Sequence, residues 1–99
     1  MKTKDAVSAL FALAHEGRLD IFKLLVRKGK TGMASGDLAD YFSMPPPTMS
    51  FHLKELSNAG LLDSRRESRS IIYAANYGHM QELIGFLMES CCADNGGKC

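Results

Sequence analysis

Three consecutive prolines, Pro45-Pro46-Pro47, lie near the middle of the chain and forbid any helix from running through them. Proline lacks the amide hydrogen and its ring clashes with the preceding turn, so a helix tolerates it only at the start. One helix must end before this run, and another begins at or just within it. Upstream, Leu38, Ala39 and Phe42 give the apolar face of a short helix, with Ser35 as its expected cap and Asp37 near its positive end. Downstream, a helical pattern continues through Ala59 and stops at Gly60. Two short helices joined by a tight turn result.

The flanking segments complete a recognisable order. Residues 4–15 place Val7, Leu10, Phe11 and Ala14 at helical spacing, and Gly17 is expected to break that segment. Residues 18–28 resume with Ile21, Phe22, Leu25 and Val26 on one side, opposite Arg18, Lys23, Arg27 and Lys28. Gly29-Lys30-Thr31-Gly32 carries turn chemistry, and Met33-Ala34 reads as a very short extended piece. Leu61-Leu62 and Ile71-Ile72-Tyr73 flank a polar tip at 65–70, which is a hairpin pattern. Asn76 caps a last helix, 77 to about 90, whose stripe is Met80, Leu83, Ile84, Leu87 and Met88. The fold expected is mainly α with a small β-hairpin, a winged helix-turn-helix over residues 1–90 followed by a tail at 91–99.

Composition excludes several classes. A hydrophobic share of 45% is too high for a disordered chain. Ninety-nine residues allow one modest core, which often gains stability from a partner subunit. No apolar run is long enough to span a bilayer, so no membrane partner is expected. The start superficially resembles a signal peptide, with Lys2 and Lys4 before Ala12-Leu13-Ala14, but Asp5 interrupts it and the apolar stretch is short. A cytoplasmic location follows, where Cys91, Cys92 and Cys99 are expected as reduced thiols. With a net charge of only +1, any surface for nucleic acid must be local.

The helix after the prolines is the place to look for one. At about 100° per residue, Met49, Leu53 and Leu56 share a core face. Pro47, Thr48, Phe51, Lys54 and Asn58 point away, with Ser50 and His52 at the flanks. Hydroxyls, an imidazole and an apolar ring suit base edges, phosphates and thymine methyls in a major groove. An ordinary amphipathic surface helix would also carry small polar residues, and a flank histidine is more often structural than a base reader. Phe51 on a polar face favours the groove. Arg65, Arg66 and Arg69 at the hairpin tip are the expected phosphate or minor-groove contacts.

These residues resemble a known family. AHEGRLDIFKLL from Ala14, then SGDLADYF, PTMSFHLKELSNAGLL and the wing RRESRSIIYAA, are similar to the ArsR/SmtB metal-sensing repressors over nearly the whole chain. The resemblance implies a homodimer built from the first and last helices, and so implicates Leu10, Leu13, Leu83, Ile84 and Leu87. A two-fold dimer would set two recognition helices about one DNA turn apart on a roughly palindromic double-stranded operator. The chain departs from the family at two metal sites. Residues 33–38 lack the Cys-x-Cys motif of many members. The last helix offers only His79 and Glu82 for the zinc site, so His79 is expected to be an ordinary surface histidine. Ser68 stands at the wing tip where the family often has glycine.

All three cysteines fall in the last nine positions. Thiolates select soft ions, and three sulfurs suit trivalent arsenic or antimony better than structural zinc, which usually takes four ligands. Gly96 and Gly97 give Cys99 slack to fold back toward Cys91 and Cys92. Some arsenic-responsive members resemble this arrangement. The expected function is a metalloid-responsive repressor, with arsenic or antimony as inducer and no organic cofactor. Thiol redox sensing, or sensing of another soft metal such as cadmium, lead or mercury, is the alternative. A thiol enzyme is disfavoured, because no cysteine sits at a strand-to-helix turn where a helix dipole would activate it. A metal carrier would leave the arginine wing unexplained.

Overall fold

The computed structural model describes residues 1–98. Along the chain come α1 (Thr3–Leu13), α2 (Glu16–Lys28), β1 (Met33–Ala34), α3 (Ser35–Tyr41), α4 (Pro46–Asn58), β2 (Leu62–Glu67), β3 (Ser70–Ala75) and α5 (Tyr77–Leu87). This is the winged helix-turn-helix order. The prolines act as expected: Pro45 is the extended residue before α4, and prolines fill its first positions.

Three boundaries differ from the sequence expectation. Gly17 does not break the chain, because the His15 side chain accepts from the Gly17 and Arg18 amides and starts α2 before it. Ser35 is the first residue of α3 rather than its cap; Ala34 holds that position with no side-chain bond. Ala34 is also committed to the sheet, where it pairs with Ile72. At the far end, α5 stops at Leu87, short of Ser90, and Ser90 and Cys92 take positive φ. Asn76 does cap α5, accepting from the His79 amide at 3.0 Å.

The sheet is antiparallel in the order β1-β3-β2. Its register pairs Met33 with Tyr73, and runs from Leu62 opposite Ala75 to Glu67 opposite Ser70. The wing turns at Ser68, whose φ of 56° shows that a serine can serve at this tip.

The core lies where α2, α3 and α4 meet. Ile21, Leu25, Leu38, Met49, Leu53, Leu56 and Leu61 are fully buried there, each contributing roughly 1.5–3 kcal/mol by removal from water. The small residues Ala6, Ala9 and Ala12 let α1 lie close to this core. Much apolar surface nevertheless stays outside. Val7, Leu10 and Phe11 on α1, and Ile84, Leu87 and Met88 on α5, are all exposed, Phe11 to 72%. The radius of gyration is 15.5 Å, against about 13 Å for a compact domain of this length. Of the residues expected at a dimer interface, Leu83 belongs to the subunit's own core at 2% exposed, and Leu13 is partly buried against that core. Among the described residues, no helix is long and apolar enough to cross a membrane.

Candidate nucleic-acid interface

Helices α3 and α4 are set by a turn in which Ser43 takes a φ of 51° and Met44 N bonds Ala39 O at 2.9 Å. With Met49, Leu53 and Leu56 locked into the core, the opposite face of α4 must point outward. Pro47, Thr48, Ser50, Phe51 and Lys54 are all exposed on it. Phe51 keeps 55% of its surface. Thr48 and Ser50 make no intramolecular hydrogen bond among the described residues, so both hydroxyls can donate and accept outward.

His52 does not belong to that face. It is only 7% exposed, and its Nδ1 lies 3.4 Å from the Arg18 guanidinium. The expected base-reading role is therefore corrected. Proximity of the α1–α2 junction turns a flank position into an interior one, which a single-helix projection could not show. Burial lowers the His52 pKa from its ordinary value of 6.5, and the charges of His15 and Arg18 lower it further.

The wing arginines divide in the same way. Arg66 and Arg69 are exposed. Arg65 donates to Lys30 O at 2.9 Å, Thr31 O at 3.0 Å and Glu67 Oε2 at 2.6 Å. Its guanidinium ties the wing to the turn after α2, so Arg65 is an anchor rather than the phosphate contact expected of it. Only the fold brings residues 30 and 65 together. Arg66 and Arg69 beyond that anchor keep the charge that can meet phosphates.

The tail forms a compact turn after α5. Cys91 N bonds Met88 O at 3.0 Å, and Gly97 N returns to Cys92 O at 2.9 Å through the left-handed residues Gly96 and Gly97. The Cys91 and Cys92 sulfurs are 3.6 Å apart. Two thiolates about 2.3 Å from one ion would span a similar distance once both sulfurs are reduced. Cys92 is disulfide-bonded, which differs from the expectation of reduced thiols throughout. Cys99, expected as the third ligand, lies outside the described residues. Among the described residues, no three His, Cys, Asp or Glu side chains are grouped to hold a metal.

His79 is not the surface histidine expected. Its side chain is 22% exposed, its ring stands against Gly60 at the end of α4, and its Nδ1 is 3.9 Å from Glu82. Its carboxylate neighbour, Glu82, is on the same helix, one turn on.

Comparison with known proteins gives the same picture. A family model described as a helix-turn-helix domain matches residues 13–65. The chain is 33% identical to the arsenical resistance operon repressor of Bacillus subtilis, over 82% of this chain and 72% of that one. It is similar to the structure of reduced HlyU from Vibrio cholerae, with a TM-score of 0.70 and 27% identity over 91% of this chain and 92% of that one. An ArsR-like transcriptional regulator from Rhodococcus sp. RHA1 shares the fold at a TM-score of 0.77, covering 92% and 82% of the two chains at 24% identity.

Proposed function

Since this chain belongs to the helix-turn-helix family, among its ArsR-like transcriptional regulators, we propose that it is a homodimeric repressor whose hold on operator DNA is governed by the cysteines of its tail. The observation that carries the DNA-binding half is the outward face of α4. Thr48, Ser50 and Phe51 are exposed there, beside a wing that presents Arg66 and Arg69. In a major groove the hydroxyls reach base edges and the ring meets thymine methyls. The exposed apolar stripes of α1 and α5 join two copies, so that two such helices face one side of the duplex.

The sensing half rests on sulfur. Cys91 and Cys92, whose sulfurs are 3.6 Å apart, follow in the turn after α5, the helix that carries the dimer stripe. Trivalent arsenic or antimony supplies a thiophilic, three-coordinate centre that a set of thiolates captures. Binding there favours a dimer geometry in which the two copies of α4 no longer match successive grooves. DNA and inducer then weaken each other by the same factor. Similarity to an arsenical resistance operon repressor supports this choice of inducer.

A second reading is favoured by one observation: the disulfide at Cys92. In it, oxidation of the tail thiols, rather than metalloid capture, changes the dimer. Titrating a gel shift with arsenite, antimonite, cadmium, zinc and peroxide separates the two. Under reducing conditions arsenite is expected to weaken operator binding about 5- to 150-fold. A variant with Cys91, Cys92 and Cys99 all changed to serine should bind DNA as tightly as the native chain and ignore arsenite. Release by peroxide but not by arsenite selects the redox reading. Release of the serine variant by arsenite refutes both.

A further inference from the structure

The junction of α1, α2 and α4 holds a cluster that the proposed function leaves unused. His15, before α2, accepts at Nδ1 from the Gly17 amide at 3.1 Å and the Arg18 amide at 3.4 Å. The Arg18 side chain spans the junction: Nε donates to Ala12 O of α1 at 2.7 Å, and a terminal nitrogen meets His52 Nδ1 of α4 at 3.4 Å. The two imidazoles are 4.8 Å apart, tilted by 48°. One arginine thus ties the helix bearing the dimer face to the helix bearing the groove-reading face.

The chemistry of this tie requires neutral rings. Arginine has only donors, so His52 Nδ1 must be the acceptor and carry no proton. Helix-capping side chains are acceptors, usually Ser, Thr, Asp or Asn; His15 can cap only while its Nδ1 is bare. A proton on either ring sets donor against donor and adds positive charge beside a guanidinium. The neighbouring elements offer no compensation. Against the pair stand the Arg18 guanidinium of α2, the Ala12 carbonyl of α1 that Arg18 holds, and the apolar Phe51 ring of α4. Among the described residues, none of the three clustered side chains has a carboxylate within ion-pair distance.

We propose that His15, Arg18 and His52 form a proton-sensitive joint that seats α4, so that mild acid loosens the recognition helix and releases DNA. Arg18 is the positioning residue, and the two histidines set the condition under which it works. The lowered His52 pKa agrees in sign. A folded-state value below 6.5 leaves the joint intact above the unfolded value, and its stabilisation is lost as pH falls from there through the folded value. The expected direction runs against simple electrostatics. Protonating histidines makes the chain more positive, which by itself tightens binding to phosphates.

The inference rests on DNA binding by α4, and its test has an arm that does not. A duplex selected from a random library at about pH 7.5 is titrated with the full chain there and at about pH 5.5, across the range where histidine changes charge. Ionic strength is held constant. The native chain is expected to bind roughly tenfold more weakly at the lower pH, within the range usual for coupling between two sites. His15→Asn with His52→Gln keeps a cap and an acceptor without a titrating ring, and should shrink that ratio to within about twofold. Should the pair of changes prevent folding, His15→Asn alone, at an exposed position, is expected to reduce the ratio. In parallel, amide NMR shifts of Ser50 and Phe51 in the DNA-free native chain should move with the His52 ring titration. Unchanged or tighter native binding in acid, an equal loss in the variants, or Ser50 and Phe51 amides that stay still while His52 titrates overturns the joint. Failure to select any duplex overturns the DNA-binding reading instead, and the NMR arm still decides the joint.

Discussion

Gly32→Ala is expected to remove about 2–6 kcal/mol of folding stability, a large share of the roughly 5–15 kcal/mol typical of a native domain. Gly32 has φ 63° and ψ −162°, a region open essentially to glycine alone, which costs another residue about 1–3 kcal/mol. The added methyl would also press into the carbonyl of Tyr73. That carbonyl is backbone in the middle strand of the sheet, opposite Met33, so it cannot move aside without breaking the β1–β3 pairing. Overpacking of this kind adds about 1–3 kcal/mol. Gly29 is the internal control. It has nearly the same backbone, φ 70° and ψ −157°, but nothing within 4 Å of an added methyl. Urea denaturation at one fixed protomer concentration should show Gly29→Ala losing only the backbone share. Equal losses for the two variants would mean that the contact with Tyr73 is irrelevant.

The second large effect concerns the apolar stripe of α5. Ile84→Glu together with Leu87→Glu is expected to dissociate the dimer and lower operator affinity about 10²- to 10⁴-fold, the range set by losing one of two linked binding events. Ile84 is 55% and Leu87 56% exposed in the single subunit, so glutamates there meet water in the monomer and should leave its fold intact. In a dimer they would meet the partner's apolar face and two buried charges without counter-ions. Analytical ultracentrifugation should give a folded monomer by mass and circular dichroism. A variant that stays dimeric places the interface elsewhere. Leu83→Glu would be an unsuitable probe, since Leu83 sits in the subunit's own core.

The contrast between Leu83 and Leu87 shows how far the sequence reaches. Periodicity located the α5 stripe, because apolar spacing follows helix geometry. It could not say which part of a broad stripe faces inward, since that depends on where α1 and α4 pass. The same limit explains His52 and Arg65. Each lies at the edge of a pattern that reads correctly within its own element, and each is claimed by a residue more than 30 positions away, Arg18 and Lys30 respectively. The helix after Pro45-Pro46-Pro47, its inward Met49, Leu53 and Leu56, and its outward Thr48, Ser50 and Phe51 were legible because proline and 3.6-residue spacing act locally. The His15 cap was not, because histidine is an uncommon choice for that position.

The most direct measurement is the ratio of affinities for a selected operator duplex and a scrambled one, taken for the native chain and for Thr48→Ala, Ser50→Ala and Phe51→Ala combined. All three side chains project from the exposed face of α4, so the substitution leaves the core and the wing arginines in place. If α4 reads base edges, the native preference of about 10³-fold or more should largely disappear. Salt-dependent binding to both duplexes should persist through Arg66 and Arg69. A triple variant that still prefers the operator as strongly as the native chain contradicts the assignment of α4 as the reading helix.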